Sequence, residues 1–249
     1  MSSHVLVIGA ASGIGAALCR VFAEQGQSVI LAGRDRAELD RSATDLTLRY
    51  GVPAYVEVCD ALAYDTHPTF VQRCADHAPN GIESAVICVG RMADQRDTET
   101  DFHVAREVID SNFTAPASLL NALADLFERQ GGGSLAAIAS VAGDRGRGSN
   151  YTYGSAKAAL ATYLEGMRNR LKRSGVHVLC IKPGFTDTRM TAGIVNPNSP
   201  LLASPECVAR DIARALHKRR SVLYTPWYWG GIMTIIRAIP GFIFNRMKL

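Results

Sequence analysis

The chain has 249 residues and a formal net charge of +4, and 47% of its residues are hydrophobic while 20% are charged. This balance excludes a disordered chain and suits one α/β domain, and a weak charge without blocks of like sign argues against a nucleic-acid surface. The chain has six cysteines but no CxxC pair, which predicts neither disulfides nor a metal site. It starts without a basic leader and has no apolar stretch of about eighteen residues, so we predict a cytoplasmic protein without a membrane span.

Short apolar runs alternate with helical patterns along most of the chain. The apolar runs are predicted strands of a parallel sheet covered on both faces: Val5–Ile8, Ser28–Ala32, Ala54–Val58, Ala85–Val89, Leu135–Ala139, Val176–Ile181 and Val222–Tyr224. The predicted helices are Gly15–Gln25, Ala37–Tyr50, Thr69–His77, Phe102–Arg129, Tyr151–Ser174 and Pro205–Arg219. This alternation predicts a single α/β domain over residues 1–225, a doubly wound Rossmann-type parallel sheet of about seven strands, followed by an apolar and basic tail over residues 226–249.

A glycine-rich turn follows the first predicted strand. It reads Gly9-Ala-Ala-Ser12-Gly13-Ile14-Gly15 and leads into an amphipathic helix. Glycines let backbone N–H groups and a helix N-terminus approach a pyrophosphate, so the turn predicts a dinucleotide site. The spacing is GxxxGxG rather than the commoner GxGxxG, and a tight turn without a ligand is the alternative.

The end of the second predicted strand favours NADP(H) over NAD(H). A site for NAD places an acidic residue there to hold the ribose 2′-hydroxyl, whereas this chain has Gly33 followed by Arg34. Glycine leaves room, and a guanidinium can bind a 2′-phosphate. The alternative is that Arg34 is a solvated residue that pairs with Asp35 or Glu38.

A third motif carries proton chemistry. Tyr153 and Lys157 are four residues apart, so they share one helix face, and Ser140 ends a strand shortly before them. An ammonium beside a phenol is expected to lower the pKa of the phenol, and Ser140 can donate to the substrate oxygen while Tyr153 delivers the proton. A helix-surface pair is the alternative for an isolated YxxxK.

Together these motifs make the sequence similar to the short-chain dehydrogenases/reductases over about residues 4–225. The resemblance implies an NADP(H)-dependent oxidoreductase that acts on a ketone or a secondary alcohol. The catalytic residues that it implies are Asn112, Ser140, Tyr153 and Lys157. The cofactor-binding residues that it implies are Gly9, Ser12, Gly13, Ile14, Gly15, Arg34, Asp60 (toward the adenine), Gly90, Tyr153, Lys157, Pro183, Gly184 and Thr188. It also implies a homodimer or homotetramer built on the two long helices, Phe102–Arg129 and Tyr151–Ser174.

Two positions depart from the family pattern. Ile87-Cys88-Val89-Gly90 stands where the family usually has Asn-Asn-Ala-Gly, and Ile8 stands where a threonine is common. Hydrogen bonds that support the central sheet are therefore expected to come from elsewhere. Neither departure affects the chemistry.

The substrate is predicted from a loop and from the tail. Arg145 and Arg147, between Ser140 and Tyr153, are candidates for binding an anionic group such as a phosphate, with ion pairing to Asp144 or solvation as the alternative. Residues 226–249 combine Trp and Tyr with apolar and basic residues, including Lys248, which suits a membrane interface. Packing on a partner subunit or over the substrate pocket is the alternative.

These features resemble those of one branch of the family, the decaprenylphosphoryl 2-keto-pentose reductases. The resemblance rests on the Val141-Ala-Gly-Asp-Arg segment, the Tyr153-Gly-Ser-Ala-Lys157 helix, Thr188-Arg189-Met190 and the tail. It implies a polyprenyl-phosphate-linked keto sugar made by a partner flavin oxidase, in cell-envelope sugar metabolism at the inner face of the membrane. A soluble or acyl-type ketone is the main alternative, and a non-catalytic NADP(H)-sensing regulator is an alternative of another class.

Overall fold

A computed structural model describes residues 3–247. Seven parallel strands form one sheet in the order β3-β2-β1-β4-β5-β6-β7, which confirms the predicted doubly wound architecture. The strands are β1 (His4–Ile8), β2 (Ser28–Gly33), β3 (Ala54–Val58), β4 (Ile82–Ile87), β5 (Gly133–Ile138), β6 (Val176–Pro183) and β7 (Val222–Thr225). The order reverses between β1 and β4, and ligands of such sheets bind at the carboxyl ends of the strands beside that reversal.

Helices cover both faces of the sheet. They are α1 (Gly13–Glu24), α2 (Arg36–Tyr50), α3 (His67–Asp76), α4 (Gln95–Thr100), α5 (Phe102–Ile109), α6 (Ala115–Gln130), α7 (Tyr151–Leu171), α8 (Pro205–His217), α9 (Tyr228–Ala238) and α10 (Gly241–Phe244). On one face α3, α6 and α7 bury Phe70, Phe127 and Leu160, and on the other α1 and α8 bury Phe22 and Ile212. The inner strands between these layers are therefore shielded from water, which explains their almost continuous apolar runs, and the edge strands β3 and β7 are partly exposed.

The predicted helix Phe102–Arg129 contains an interruption. A five-residue π-helical turn, Asp110–Thr114, separates α5 from α6 and contains Asn112. The Asn112 amide nitrogen donates to the carbonyls of Val108, at 2.7 Å, and Arg91, at 2.5 Å. The side chain thus bonds to backbone groups both inside and outside the helix, and this joins the loop after β4 to the helix.

The tail is folded onto the domain. After β7, α9 places the side chains of Trp229 and Met233 in a small apolar cluster with Val141. No helix was predicted here, although the large apolar residues from Tyr228 to Ile236 fall along one broad side of α9. The predicted tail ends in Lys248 and Leu249, and the predicted start without a leader includes Met1 and Ser2; all four lie outside the described residues. No helix within residues 3–247 is long and apolar enough to cross a membrane.

Candidate active site

A cleft opens at the carboxyl ends of β1, β4, β5 and β6, with a cavity volume of about 550 Å³. It brings together most of the residues predicted from the sequence. Those that line it are Ser12, Gly13, Ile14, Arg34, Gly90, Ser140, Arg147, Tyr153, Lys157, Pro183, Gly184 and Thr188. Of the remaining predicted residues, Gly9, Gly15 and Asn112 support the walls of the cleft, while Asp60 and Arg145 lie away from its lining.

The glycine turn is closely packed and leaves no room for side chains. Gly9 has a φ of +85°, and a Cβ on Gly15 would lie 2.2 Å from the carbonyl oxygen of Gly9. The Ser12 hydroxyl donates to that oxygen and accepts from the Gly15 N–H, which caps the first turn of α1. A Cβ on Gly13 would lie 2.8 Å from a methyl carbon of Thr188, so the segment after β6 covers the turn. A helix N-terminus presented to a cleft in this way fits the pyrophosphate of a dinucleotide.

The end of β2 lies beside the same cleft. Arg34 is exposed there and, within residues 3–247, its guanidinium makes no hydrogen bond or ion pair. Asp35 caps α2 by accepting from the Glu38 N–H at 3.0 Å, so the predicted alternative pairing of Arg34 with Asp35 or Glu38 is not formed. Asp60 is exposed after β3 and accepts from the Leu62 N–H at 3.0 Å. It does not line the cleft wall where the adenine contact was predicted.

Three of the predicted catalytic side chains meet on the substrate side of the cleft. Ser140 follows β5, and its hydroxyl accepts from the Ala142 N–H at 3.1 Å, which fixes a short helical turn over Val141–Gly143. Tyr153 and Lys157 project from one face of α7, and the Lys157 Nζ lies 5.8 Å from the centroid of the Tyr153 ring. The ammonium is buried and donates to the carbonyl of Ile138 at 2.6 Å.

Burial controls the acid–base behaviour of this pair. Desolvation raises the pKa of Tyr153 to about 12, against the smaller lowering effect of the Ser140 side chain, and desolvation lowers the pKa of Lys157 to about 8. The expectation that the ammonium lowers the pKa of the phenol is therefore wrong for the protein chain by itself. Loss of hydration around the tyrosine outweighs its neighbour, whose ammonium is bound to the Ile138 carbonyl.

Asn112 and Lys157 face each other beside Gly90. A Cβ on Gly90 would lie 2.8 Å from the Asn112 amide oxygen and 3.4 Å from the Lys157 Nζ. That oxygen is buried and has no hydrogen-bond partner within the described part of the chain. A buried acceptor opposite an ammonium suits a bound water in a proton relay, and Gly90 keeps the space between them open.

The two candidate substrate arginines differ. Arg147 is partly buried in the cleft, and desolvation lowers its pKa. Arg145 lies outside the cleft, and its Nη1 donates to the carbonyls of Ile236, Arg237 and Ile239 at 3.0, 2.8 and 2.8 Å. Its prediction as an anion ligand is therefore wrong: the guanidinium binds the carboxyl end of α9 and also lies 4.1 Å above the Phe244 ring.

The alternative pairing with Asp144 is also not formed. Asp144 instead makes an ion pair with Lys182, at 2.5 Å, and accepts from the Tyr224 hydroxyl at 2.7 Å. These bonds hold the loop after Ser140 against β6 and β7. Within residues 3–247 no group of three or more acidic, histidine or cysteine side chains is arranged to hold a metal ion.

Several residues of the cleft were not predicted. Asn150, Phe185, Met190 and Trp229 all line it. Trp229 was included only in the tail, because no local pattern indicates that a segment after the last strand returns to the catalytic loop. Asn150 lies in the loop between Ser140 and Tyr153 that supplied the candidate arginines, and Phe185 and Met190 follow Gly184, but nothing in their spacing distinguished them from their neighbours.

Comparison with known proteins identifies the family. The sequence model of the family described as short chain dehydrogenase matches residues 3–198. An uncharacterized oxidoreductase of Mycobacterium tuberculosis is 36% identical over 247 residues, which covers 99% of this chain and 97% of the relative. A short-chain dehydrogenase from Sphingobium yanoikuyae in complex with NADPH has a TM-score of 0.81 at 23% identity, over 96% of this chain and 97% of that one. The L-sorbose reductase of Gluconobacter frateurii, in complex with NADPH and L-sorbose, has a TM-score of 0.79 at 20% identity, over 90% and 95% of the two chains. The chain therefore belongs to the short-chain dehydrogenase family of oxidoreductases.

Proposed function

We propose that the protein is an NADP(H)-dependent reductase that converts a ketone to a secondary alcohol. The observation that carries this proposal is the arrangement of the cleft: Ser140, Tyr153 and Lys157 lie on one side of a space whose other wall is the glycine turn. The turn, the open N-terminus of α1 and Arg34 fit a dinucleotide that carries a 2′-phosphate. NADPH bound there supplies the hydride.

The residues around the substrate have separate tasks in this proposal. The hydroxyl groups of Ser140 and Tyr153 hold the carbonyl oxygen, and Tyr153 gives it a proton as negative charge develops. A raised pKa keeps Tyr153 protonated at neutral pH, as a proton donor requires. The Asn112 amide oxygen and the Lys157 ammonium, which face each other beside Gly90, hold the water through which the proton of Tyr153 is replaced.

The preference for NADP(H) rests on Arg34. Its guanidinium lines the cleft at the end of β2 without a partner in residues 3–247, and the neighbouring residue, Gly33, carries no acidic group. A free guanidinium at this place binds a phosphate in a charge-assisted contact. Two structures of the same fold, described above, are NADPH complexes, which agrees with this preference.

For the substrate we propose the keto group of a polyprenyl-phosphate-linked pentose, formed by a partner flavin oxidase. Arg147 supports this choice because it is a partly buried cation in the cleft with no partner in the described chain. Such a group suits the phosphate that joins the sugar to the lipid. A reductase of an uncharged ketone would need no cation at this position.

The outer face of the tail supports a peripheral membrane contact. Trp227, Ile235 and Phe242 are 83%, 69% and 70% exposed, next to Arg237 and Arg246. Apolar and aromatic side chains beside basic ones suit the surface of an anionic bilayer. Replacing Trp227, Ile235 and Phe242 together by serine should abolish co-sedimentation with anionic vesicles, whereas Leu48→Ser, at an exposed position on α2, should not. Failure of the intact protein to co-sediment would refute the contact.

The substrate is tested by NADPH oxidation with a polyprenyl-phosphate keto-pentose, a panel of water-soluble hydroxyketones and β-ketoacyl thioesters. Turnover of the lipid-linked sugar, lowered by Arg147→Ala more than by Arg246→Ala, supports the proposal. Turnover of soluble ketones alone would refute the lipid-linked substrate and would leave ketone reduction as the proposed reaction. NADPH binding without any turnover would instead favour a regulator.

We also propose a homo-oligomer through α5, α6 and α7, testable by the mass in solution.

A further inference from the structure

The helix α9 forms one wall of the substrate end of the cleft. Trp229 is 6% exposed and packs against Val141 and Met233, and its ring meets the Phe185 ring edge-on at 5.5 Å between centroids. A Cβ on Gly184 would lie 1.9 Å from the Trp229 Nε1. The five-membered ring of the indole therefore lies directly against the backbone of the segment after β6, and glycine is required at 184 to accommodate it.

Two buried polar atoms on this side of the cleft lack partners. The Trp229 Nε1 and the Asn150 Oδ1 are inaccessible to water and make no hydrogen bond with any described residue of the chain. Both residues line the cleft beside Ser140 and Tyr153. Buried polar groups are almost always bonded, because an unpaired one costs the free energy of its lost hydration. Because both side chains line the cleft, we expect their partners to be groups of a bound ligand, which reach these atoms when the surrounding side chains adjust to it.

The two atoms are complementary. An indole N–H donates hydrogen bonds but does not accept them, and an amide oxygen accepts hydrogen bonds but does not donate them. A hydroxyl group does both, since its oxygen accepts and its hydrogen is donated. A ketone without hydroxyl groups offers no donor to the Asn150 oxygen and would leave it unpaired.

We propose that Trp229 and Asn150 are specificity-determining residues that bind hydroxyl groups of a hydroxylated ketone, the indole N–H donating and the amide oxygen accepting. This inference names the substrate class and rests on the proposed function as a ketone reductase. Trp229 thereby makes α9 part of the recognition of the substrate. Sites that bond to a hydroxyl group reject analogues that lack it more strongly than apolar pockets reject extra groups.

The first test observes the indole directly. The chain contains two tryptophans, so the proton–nitrogen correlation spectrum of the NADP⁺-loaded protein has two indole signals, which Trp227→Phe assigns. Adding α-hydroxycyclohexanone should move the Trp229 signal downfield and leave that of the exposed Trp227 in place. Cyclohexanone, which has the same ring without the hydroxyl, should move it less. A Trp229 signal that stays in place at the highest concentration of α-hydroxycyclohexanone, or that moves equally with both ketones, overturns the inference.

The second test compares rates for the same two ketones. Trp229→Phe keeps an aromatic ring and removes the donor, so the ratio of kcat/KM for α-hydroxycyclohexanone over cyclohexanone should fall about tenfold, and Asn150→Ala should lower it in the same direction. Trp227→Phe is the matched control and should leave the ratio unchanged. An unchanged ratio in Trp229→Phe overturns the inference. If the Trp229 signal shifts but the wild type reduces none of the ketones, the proposed function is refuted, whereas the inference that Trp229 binds a hydroxyl group stands.

Discussion

Replacing Arg145 by alanine should detach the tail from the catalytic loop. The Arg145 Nη1 contacts three carbonyls at the end of α9 and carries two hydrogens, so two full hydrogen bonds are formed at a time. At about 1 kcal/mol each, with about 0.5 kcal/mol for the contact with the Phe244 ring, the loss is about 2 to 3 kcal/mol. Because α9 carries Trp229, the KM for the ketone should rise while the KM for NADPH stays within about twofold.

Urea unfolding and hydrogen exchange test this reasoning. Arg145→Ala should lower the free energy of unfolding by the amount above and speed amide exchange in α9 more than in α7. Arg246→Ala is the matched control, because Arg246 is an exposed arginine of the same tail and should change stability by less than about 0.5 kcal/mol. If the two variants unfold at the same urea concentration, or exchange in α9 is unchanged, Arg145 does not hold the tail.

Three further results are expected. Arg34→Ala should raise the KM for NADPH at least tenfold and the KM for NADH less than about twofold, and equal effects in steady-state kinetics would refute the assignment of the 2′-phosphate contact. The pKa of Lys157, lowered to about 8 in the fold, should make kcat/KM for ketone reduction fall above that pH by about tenfold per unit. Between this pKa and the usual lysine pKa of about 10.4, Lys157 binds fewer protons in the folded state than in the unfolded chain, so it contributes a rise of stability with pH, whereas the buried cysteines, whose pKa values are raised, contribute a fall. Lys157→Met should therefore make the slope of the free energy of unfolding against pH more negative in urea titrations over that window. A flat rate profile, or an unaltered slope in Lys157→Met, would contradict the pKa assignment.

The inner strands were predictable because they are buried on both faces and each reads as an apolar run, whereas the edge strands β3 and β7 are only partly buried. Their carboxyl ends then locate the site, since Gly9 follows β1 and Ser140 follows β5, and parallel strands bring these ends to one edge. The pair of Tyr153 and Lys157 was predictable from helical periodicity alone.

Contacts between distant segments were not predictable. Arg145 bonds to carbonyls about ninety residues away along the chain, and backbone acceptors have no signature in the sequence. Local charge therefore suggested an anion ligand where the fold needed a bond to the tail. The predicted direction of the Tyr153 pKa shift was wrong for a related reason. The sequence places an ammonium nearby but does not give the extent of burial, which dominates the pKa of this phenol.

The central claim is that Tyr153 donates the proton in an NADPH-dependent ketone reduction, and Tyr153→Phe tests it most directly. With the ketone that the wild type reduces fastest, kcat should fall by about a hundredfold to ten-thousandfold, while the dissociation constant of NADPH, from its fluorescence on binding, should change less than about twofold. Activity within about tenfold of the wild type, or a wild type that oxidises NADPH with none of the ketones, would contradict the account.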